Sequence, residues 1–357
     1  MGSVAEWVVR CKLATARMTP SDQAKANDAK DQDRPMSYRI ASDLDVQAYL
    51  GMPEAVASME DTFRRQAEGA LVAPGRIVSD VRVGQLVFTV GARTEPTPIV
   101  GFRVYDFKHL ASPKRAELVA VFNADDGALK GLVIGPLLGA VRTGAIGGVA
   151  IKYLARADAE CLGLIGTGYQ ARTQLEAAVT VRPFKSIKAF SRDARRRNQF
   201  ADRMSEKLGR EVRAVDSAQQ AVDGADVLIC ATTSATPVIE AGWLKTGVHV
   251  NNIGPKFKNQ HELGLDVMSR CCQLITDTRA QMAAYEDQFI LHGTPLAGDV
   301  DELCQLVAGT SAGRTSDEDH TLFCSLGLAG TEVMLADRLL ERMAAERRSD
   351  GEVDDGT

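Results

Sequence analysis

Residues 162–171 read LGLIGTGYQA, an apolar run that ends in small residues. The spacing places Gly166, Gly168 and Ala171 in a GxGxxA pattern. In a strand–turn–helix unit, the first glycine makes the tight turn and the second lets the backbone approach a pyrophosphate, while the small third residue lets helix and strand pack. The N–H groups at the helix start then bind the diphosphate. The pattern predicts a dinucleotide-binding unit, and a strand before it and a helix after it weigh against an ordinary glycine turn.

From Glu160 onward, apolar strand-like runs alternate with helical segments, among them 170–181 and 193–208. Alternation of strands and helices is typical of a parallel sheet with helices on both faces. The fold class predicted for this half is therefore α/β, a Rossmann doubly wound parallel sheet. Its predicted strands are 161–165, 186–191, 211–215, 226–231, 248–253 and 273–276.

The preceding region has a different rhythm. Residues 53–69 carry apolar residues at helical spacing, and 136–156 form a helix rich in small residues. Between them, sequential strands and a strong turn at 125–127 predict an antiparallel or mixed sheet. The strands predicted there are 76–83, 85–90, 99–107, 116–122 and 129–134.

At 357 residues the chain exceeds the usual size of one core, which favours two domains. We predict a smaller α+β substrate-binding and dimerisation domain at 38–155, with a C-terminal helix at 328–347 packing back on it. The Rossmann domain spans 156–327. Residues 1–37 are polar and predict a disordered or extended tail, and 348–357 form a charged tail.

Composition narrows the function classes. The net charge of -5 gives no basic excess for nucleic acid or anionic membranes. The absence of a run of about 18 apolar residues argues against a membrane-spanning helix. The seven cysteines lack a CxxC spacing and resemble the reduced thiols of a cytoplasmic protein. The five scattered histidines predict no metal site.

The end of the second Rossmann strand indicates which cofactor binds. An acidic residue there would accept hydrogen bonds from the ribose of NAD, but this chain has Ser191 and Arg192. A serine hydroxyl and a guanidinium both suit a 2′-phosphate. The sequence therefore favours NADP(H), with NAD(H) as the alternative. The competing interpretation is that Arg192 and 195–197 only start a solvated helix, with Asp193 as its N-cap.

Several motifs together resemble the ornithine cyclodeaminase and mu-crystallin family. They are AVRTGA at 140–145, LIGTGYQA at 164–171, GADV at 224–227, ATTS at 231–234, PV at 237–238 and GVHVNNIG at 247–254. The resemblance covers about 53–336 and implies a cytoplasmic homodimer acting on small amino or imino acids. On these motifs, the predicted cofactor-binding residues are Gly166, Thr167, Gly168, Tyr169, Gln170, Ser191, Arg192, Ala231, Thr232, Thr233, Ile253 and Gly254.

The resemblance also implies that cationic side chains of the first domain hold the substrate carboxylate. The matching positions here are Arg76, Arg103 and Arg142. A guanidinium fork suits a carboxylate, and a closed cleft strengthens the pair. Without the family, each arginine is more readily a surface or structural charge.

One position departs from the family pattern. Lys256 stands where cyclodeaminases have an aspartate, and Glu332 stands where the family commonly has Asp. A lysine cannot replace a carboxylate base at neutral pH unless burial lowers its pKa. Lys256, predicted as catalytic together with Arg142, would donate a proton to a product amine or contact an anionic substrate; the alternative is a solvent-facing charge. Asp277, at the end of the sixth strand, is assigned equally to the nicotinamide side of the cleft or to structure.

The predicted function is an NAD(P)-dependent oxidoreductase acting on the C–N bond of amino or imino acids, of the ketimine reductase or amino-acid dehydrogenase type. Two alternatives remain. One is an ornithine or lysine cyclodeaminase. The other is a non-catalytic NADP(H)-dependent binding protein of the mu-crystallin type.

Overall fold

A computed structural model describes residues 38–110, 112–285 and 288–351, with side chains up to 346. The predicted tail at 1–37 lies outside the described residues, as do residues 352–357 of the predicted charged tail.

Seven strands form the first sheet, in the order β1-β7-β6-β5-β4-β2, with β3 pairing to β4. Strands β4 to β7 pair antiparallel, whereas β1 joins β7 in parallel, so the sheet is mixed. The described strands are β1 (Arg39–Ser42), β2 (Leu71–Val72), β3 (Ile77–Asp80), β4 (Gln85–Arg93), β5 (Ile99–Asp106), β6 (Glu117–Asn123) and β7 (Leu129–Ile134).

Three helices contribute side chains to the same core as this sheet: α1 (Asp43–Tyr49), α2 (Met52–Ala67) and the C-terminal helix α10 (Thr331–Gly351). Glycines let α10 approach it closely, because a Cβ at Gly101 would overlap the Val333 side chain. Side chains of α10 such as Val333, Leu335 and Leu339 are buried in one core with those of β6. The C-terminal helix therefore packs on the first sheet.

The limits predicted for this helix were wrong. It begins at Thr331, not at 328, because Gly327 and Gly330 have φ angles of 83° and 80° that no right-handed helix can include. It runs to Gly351, four residues beyond the predicted end.

Helix α3 (Leu137–Leu154) leads from the first sheet into the second. By length and composition it is apolar enough to cross a membrane, but 78% of it is buried inside the protein, as in the core helix of a globular fold. It packs against α4 (Tyr169–Val181), and at Gly144 a Cβ would meet the backbone of Thr173. Small residues thus bring the two helices together.

The second sheet has eight parallel strands in the order β10-β9-β8-β11-β12-β17-β15-β16. The strand order reverses between β8 and β11, which is where Rossmann sheets open a crevice at their carboxyl ends. These strands are β8 (Cys161–Ile165), β9 (Ser186–Phe190), β10 (Arg213–Ala214), β11 (Val227–Cys230), β12 (His249–Asn252), β15 (Gln273–Thr276), β16 (Val300–Glu302) and β17 (Thr321–Cys324).

Side chains of this sheet alternate between two cores. Leu164 and Ile229 enter one core with α4 and α5 (Ala194–Leu208), while Ile165 and Leu228 enter the other. The sheet is thus covered on both faces, as predicted. The remaining elements are α6 (Ala218–Val222), α7 (Leu265–Met268), α8 (Arg279–Ala284), α9 (Leu303–Val307) and the hairpin of β13 (Lys256–Phe257) and β14 (Gln260–His261).

Two strands of this sheet were not predicted. Strand β17 lies between β12 and β15, and β16 forms an edge. Strand β16 reads VDE and shows no apolar run, which hides it in the sequence. Strand β17 reads TLFC and is no shorter than β15, so its omission has no structural explanation.

Candidate active site

A first cavity opens at the carboxyl ends of β8, β9 and β11. Its tight turn requires glycine, because Gly166 has a φ of 103° and a Cβ there would overlap the carbonyl oxygen of Ala231. The predicted cofactor residues that line it are Gly166, Thr167, Gly168, Ser191, Arg192, Ala231, Thr232 and Thr233.

The N-terminus of α4 faces this cavity. Gly168 is the N-cap, and no described side chain caps the helix. Apart from the two chain neighbours of Gly168, no atom of the described residues lies within 4 Å of the position that a Cβ on it would occupy. The N–H groups of the first helical turn have no partner within the helix, and they favour an anion. The open space and the free donors fit a dinucleotide diphosphate.

Serine and arginine side chains line the cavity at the end of β9. The Ser191 hydroxyl accepts a hydrogen bond of 2.9 Å from Thr167, and Arg192 is exposed beside it. Asp193 also lines the cavity, but it caps α5 by accepting the Arg196 N–H at 3.0 Å. Arg197 instead pairs with Asp216. The arginine run therefore divides between the cavity and the fold.

Glu262 fixes the floor beneath this cavity. Its buried carboxylate accepts hydrogen bonds from the Thr232 N–H (2.8 Å), the Thr232 hydroxyl (2.7 Å), the Asn252 amide (2.7 Å) and the Gly254 N–H (2.5 Å). Burial raises its pKa, although these donors favour the charged form. Glu262 thus holds together the loops that follow β11 and β12. It was missed from the sequence because it lies on a hairpin, outside any recognisable motif.

Gly254 lines neither cavity. A Cβ on it would overlap the Glu262 carboxylate, so its glycine is required by that contact. Its contribution to a cofactor site is the shape of the loop.

A second cavity, of about 460 Å³, adjoins the first and shares Thr233 with it. This volume lies in the range of small-molecule sites. It brings together the three predicted carboxylate-binding arginines and the predicted cofactor residues Tyr169, Gln170 and Ile253. The full lining is Arg76, Arg103, Tyr105, Leu110, Arg115, Glu117, Pro136, Gly139, Ala140, Arg142, Thr143, Tyr169, Gln170, Thr233, Ile253, Ser325, Leu326 and Gly327.

Arg103 is held by two carboxylates. It donates from Nε at 3.0 Å and from Nη2 to Glu117, and from Nη1 to Glu332. Its guanidinium lies 4.3 Å from the centre of the Tyr105 ring. Because three of its nitrogens already have carboxylate partners, Arg103 serves as a scaffold for the cavity wall.

Glu332 joins Arg103 to Arg142, accepting from both on Oε1. Burial alone would raise the pKa of this carboxyl, but Arg142 and Arg103 outweigh burial and lower it to about 2. The carboxylate is therefore charged throughout the neutral range and neutralises part of the arginine charge.

Arg76 and Arg142 retain free donors. Arg76 donates from Nη2 to the carbonyls of Leu326 and Gly327, both at 2.8 Å, and Arg142 uses Nη2 for Glu332. Their Nε atoms are buried without a hydrogen-bond partner, and neither Nη1 donates a hydrogen bond, among the described residues. The two guanidiniums meet at Gly327, where a Cβ would overlap Arg76 and lie 3.4 Å from Arg142 Nη1.

Asp277 shapes this corner. Its buried carboxylate accepts the N–H groups of Leu326 (2.9 Å) and Gly327 (2.7 Å). Burial raises its pKa against the opposing effect of those two N–H groups. Asp277 does not line either cavity, so of its two predicted roles the geometry favours the structural one.

Lys256 also lies behind the cavity. It is buried, and its ammonium donates to the carbonyls of Gly254 (2.6 Å) and Ser325 (2.8 Å), with Ile253 at 3.4 Å. Burial lowers its pKa. It is not the solvent-facing charge that was the alternative, and its contacts give the predicted catalytic role no support.

The profile of the Ornithine cyclodeaminase/mu-crystallin family matches residues 36–347. The chain belongs to this family. A Delta(1)-pyrroline-2-carboxylate reductase of Bacillus cereus is 34% identical over 64% of this chain and 71% of its own length. The ketimine reductase mu-crystallin of Macropus fuliginosus is 28% identical, covering 82% of this chain and 93% of its own.

A solved structure of the Thermococcus litoralis Delta(1)-pyrroline-2-carboxylate reductase, in complex with NADH and L-proline, is similar with a TM-score of 0.76. It is 30% identical and covers 86% of this chain and 98% of its own. The predicted family, fold class and activity class are therefore confirmed: the protein is an NAD(P)-dependent oxidoreductase of the amino- and imino-acid C–N bond.

Proposed function

We propose that the protein reduces the C=N bond of an imino acid whose carboxylate is bound by Arg76 and Arg142. The observation that carries this proposal is the meeting of two guanidiniums with free donors at Gly327, in a cavity that adjoins the dinucleotide cavity at Thr233. Relatives named as pyrroline-2-carboxylate and ketimine reductases support the same class of substrate.

Binding of the carboxylate is the first task of the residues in the second cavity. Arg142 and Arg76 approach from different elements, so a carboxylate between them is held in one orientation. Glu332 and Asp277 fix the positions of the two arginines by side-chain and backbone contacts. Arginine does not give up its proton near neutral pH, so these residues act by charge and positioning.

The first cavity fits the cofactor. The turn at Gly166, the open N-terminus at Gly168 and the Thr167–Ser191 pair would hold the dinucleotide. When bound, the nicotinamide supplies the hydride that a protonated imine requires. Positioning is then the main contribution of the protein.

We propose a preference for NADP(H). Arg192 lines the cavity, is exposed, and has no ion pair or hydrogen bond among the described side chains, so it is available to a 2′-phosphate.

A cyclodeaminase reaction is the less favoured alternative. The position where that reaction uses an aspartate holds Lys256, whose donors are engaged by backbone carbonyls. Lys256 does not line the second cavity, so it is not placed to act as a base for a substrate amine.

The test is a spectrophotometric screen at 340 nm with Δ1-pyrroline-2-carboxylate, Δ1-piperideine-2-carboxylate and imines formed from 2-oxo acids with ammonia or methylamine. Saturable oxidation of NADPH or NADH by one of these is expected. L-Ornithine with catalytic NAD⁺ is the control for the alternative, and rapid proline formation from it with no imine reduction would overturn the proposal.

The proposed assembly is a homodimer. Apolar side chains on and beside the first sheet are exposed in the single chain, and burying such a patch is the usual reason for self-association. They include Ile40, Ile77, Val78, Val83, Val100 and Ile134. Sedimentation analysis should give twice the chain mass, and Ile77→Asp with Val78→Asp should give the monomer.

A cytoplasmic location is proposed as well, since the described cysteines are free thiols.

A further inference from the structure

A fourth guanidinium lines the second cavity. Arg115 lies with its guanidinium 4.8 Å from the centre of the Tyr169 ring and donates from Nη1 to the Leu110 carbonyl at 3.0 Å. Its Nε is buried without a hydrogen-bond partner, and its Nη2 donates no hydrogen bond, among the described residues. Arg115 therefore belongs to a wall formed by Leu110, Glu117 and Tyr169, and not to the corner at Gly327.

The charge of Arg115 is poorly compensated. Glu117 is its only ion-pair partner among the described residues, at 3.7 Å from Nε, which is beyond hydrogen-bond distance. Arg103 donates two hydrogen bonds to the other oxygen of that carboxylate, Oε2, so Glu117 divides its single charge between two arginines. Glu332 binds Arg103 and Arg142, and the oxygens of Asp277 accept backbone N–H groups.

The four arginines thus separate into three roles. Arg103 is neutralised by the protein, Arg76 and Arg142 share the site proposed for the substrate's Cα carboxylate, and Arg115 remains available. An arginine kept half-buried on an aromatic ring with free donors is well placed for a second anionic group.

We propose that the natural substrate carries a second carboxylate, bound by Arg115 while Arg76 and Arg142 bind the first. This inference rests on the proposed function and narrows its substrate class to imino dicarboxylic acids. No further cofactor or proton transfer is needed, since the second carboxylate contributes binding and orientation alone.

The other source of an anion at this place is the cofactor diphosphate, because Tyr169 starts α4. The cavity assignments argue against it. Arg115 lines the cavity of the substrate arginines, whereas Gly166, Thr167 and Gly168 line the other one. The experiment below separates the two sources.

The experiment compares kcat/KM for matched pairs of substrates in the presence of saturating cofactor. The pairs are Δ1-piperideine-2-carboxylate with its 2,6-dicarboxylate, and the methylamine imines of 2-oxopentanoate with those of 2-oxoglutarate. The native enzyme should prefer the dicarboxylate in at least one pair. In Arg115→Gln that preference should fall about tenfold, and Arg115→Lys should restore part of it.

The control is Arg203→Gln, which removes the same charge from the exposed face of α5 and should keep the native preference. Equal or better use of the monocarboxylates by the native enzyme would overturn this inference while leaving the imine reductase proposal intact. An unchanged preference in Arg115→Gln together with weaker cofactor binding would assign Arg115 to the diphosphate, and would also overturn it.

A binding measurement tests the inference without turnover. Pyridine-2,6-dicarboxylate and pyridine-2-carboxylate are flat, stable analogues of the two cyclic imines. Titration calorimetry on the cofactor-loaded enzyme should give tighter binding of the dicarboxylate, and Arg115→Gln should remove most of the difference. Equal affinity of the two pyridine acids for the native enzyme would refute the second carboxylate even if the imines prove not to be substrates.

Discussion

The two adjoining cavities are built in different ways. The dinucleotide cavity is made from backbone: a glycine turn, an uncapped helix and loops fixed by Glu262. The arginine cavity is made from charged side chains, and its ion pairs join residues separated by 190 and 229 positions. We therefore expect the first cavity to tolerate changes of its lining side chains, with Glu262 beneath it as the exception, and the second to be sensitive to any change of charge.

The largest effect on catalysis is expected from Arg142→Ala, which would sharpen this comparison. The variant leaves the substrate carboxylate with one fewer partner in a partly dry cavity. The resulting decrease in kcat/KM should correspond to a loss of about 2–5 kcal/mol of transition-state stabilisation. Cofactor affinity, measured by fluorescence titration, should hardly change. Arg142→Lys, which keeps the charge, should lose less. A folded Arg142→Ala with native kcat/KM would remove Arg142 from the substrate site.

Glu332→Gln should destabilise the fold through the same charges. In the native state Arg142 and Arg103 overcome burial and lower the Glu332 pKa from 4.5 to about 2. A carboxyl group whose pKa is lowered by folding stabilises the folded state at pH values above its unfolded-state pKa of 4.5. That stability is lost as the pH falls toward 2. At pH 7 the variant should unfold about 3 kcal/mol more readily in urea. The deficit should shrink between pH 5 and 3, and a deficit independent of pH would contradict the ion-pair explanation.

The carboxylate beneath the dinucleotide cavity provides the opposite test. Glu262→Gln keeps the shape but loses a charged acceptor for Thr232 and Gly254, so cofactor affinity should fall by about tenfold. Glu211→Gln is the control, because Glu211 is an exposed carboxylate close to strand β10 of the second sheet. Native cofactor affinity in Glu262→Gln would show that the loops hold their shape without that charge.

The smallest effect is expected from Arg192, an exposed residue that lines the dinucleotide cavity. Arg192→Ala should weaken the preference for NADPH over NADH. The ratio of the Kd for NADH to the Kd for NADPH should fall by about fivefold. Arg195→Ala is a neighbouring control that does not line the cavity. Tighter binding of NADH than NADPH by the native protein would contradict the proposed preference.

The same contrast explains what the sequence could predict. The dinucleotide turn was predictable because its chemistry lies within ten consecutive residues, and strands β8 and β15 were predicted with the observed limits. Arg76, Arg103 and Arg142 were predicted as carboxylate-binding residues only through the family resemblance. The structure brings them into one cavity, and their roles there remain proposals.

The ion-pair and hydrogen-bond partners of the site residues could not be predicted from the sequence. Nothing local in the sequence connects Arg103 with Glu332, since only the packing of α10 on the first sheet brings them together. Glu262 was missed for the same reason, as was the pairing that leaves Arg115 free. Lys256 was considered as a catalytic group because its burial against backbone carbonyls cannot be read from its position in the chain.

The central claim is that the two cavities form one active site for reduction of an imino acid. It is tested most directly by following deuterium from the 4-position of labelled NADPH or NADH into the product of the best imine substrate. We predict an amino or cyclic imino acid with one deuterium at Cα, seen by mass spectrometry and NMR, and much slower formation of this labelled product by Arg142→Ala. Cofactor oxidation without deuterium at Cα, or labelling that Arg142→Ala leaves unchanged, would contradict it.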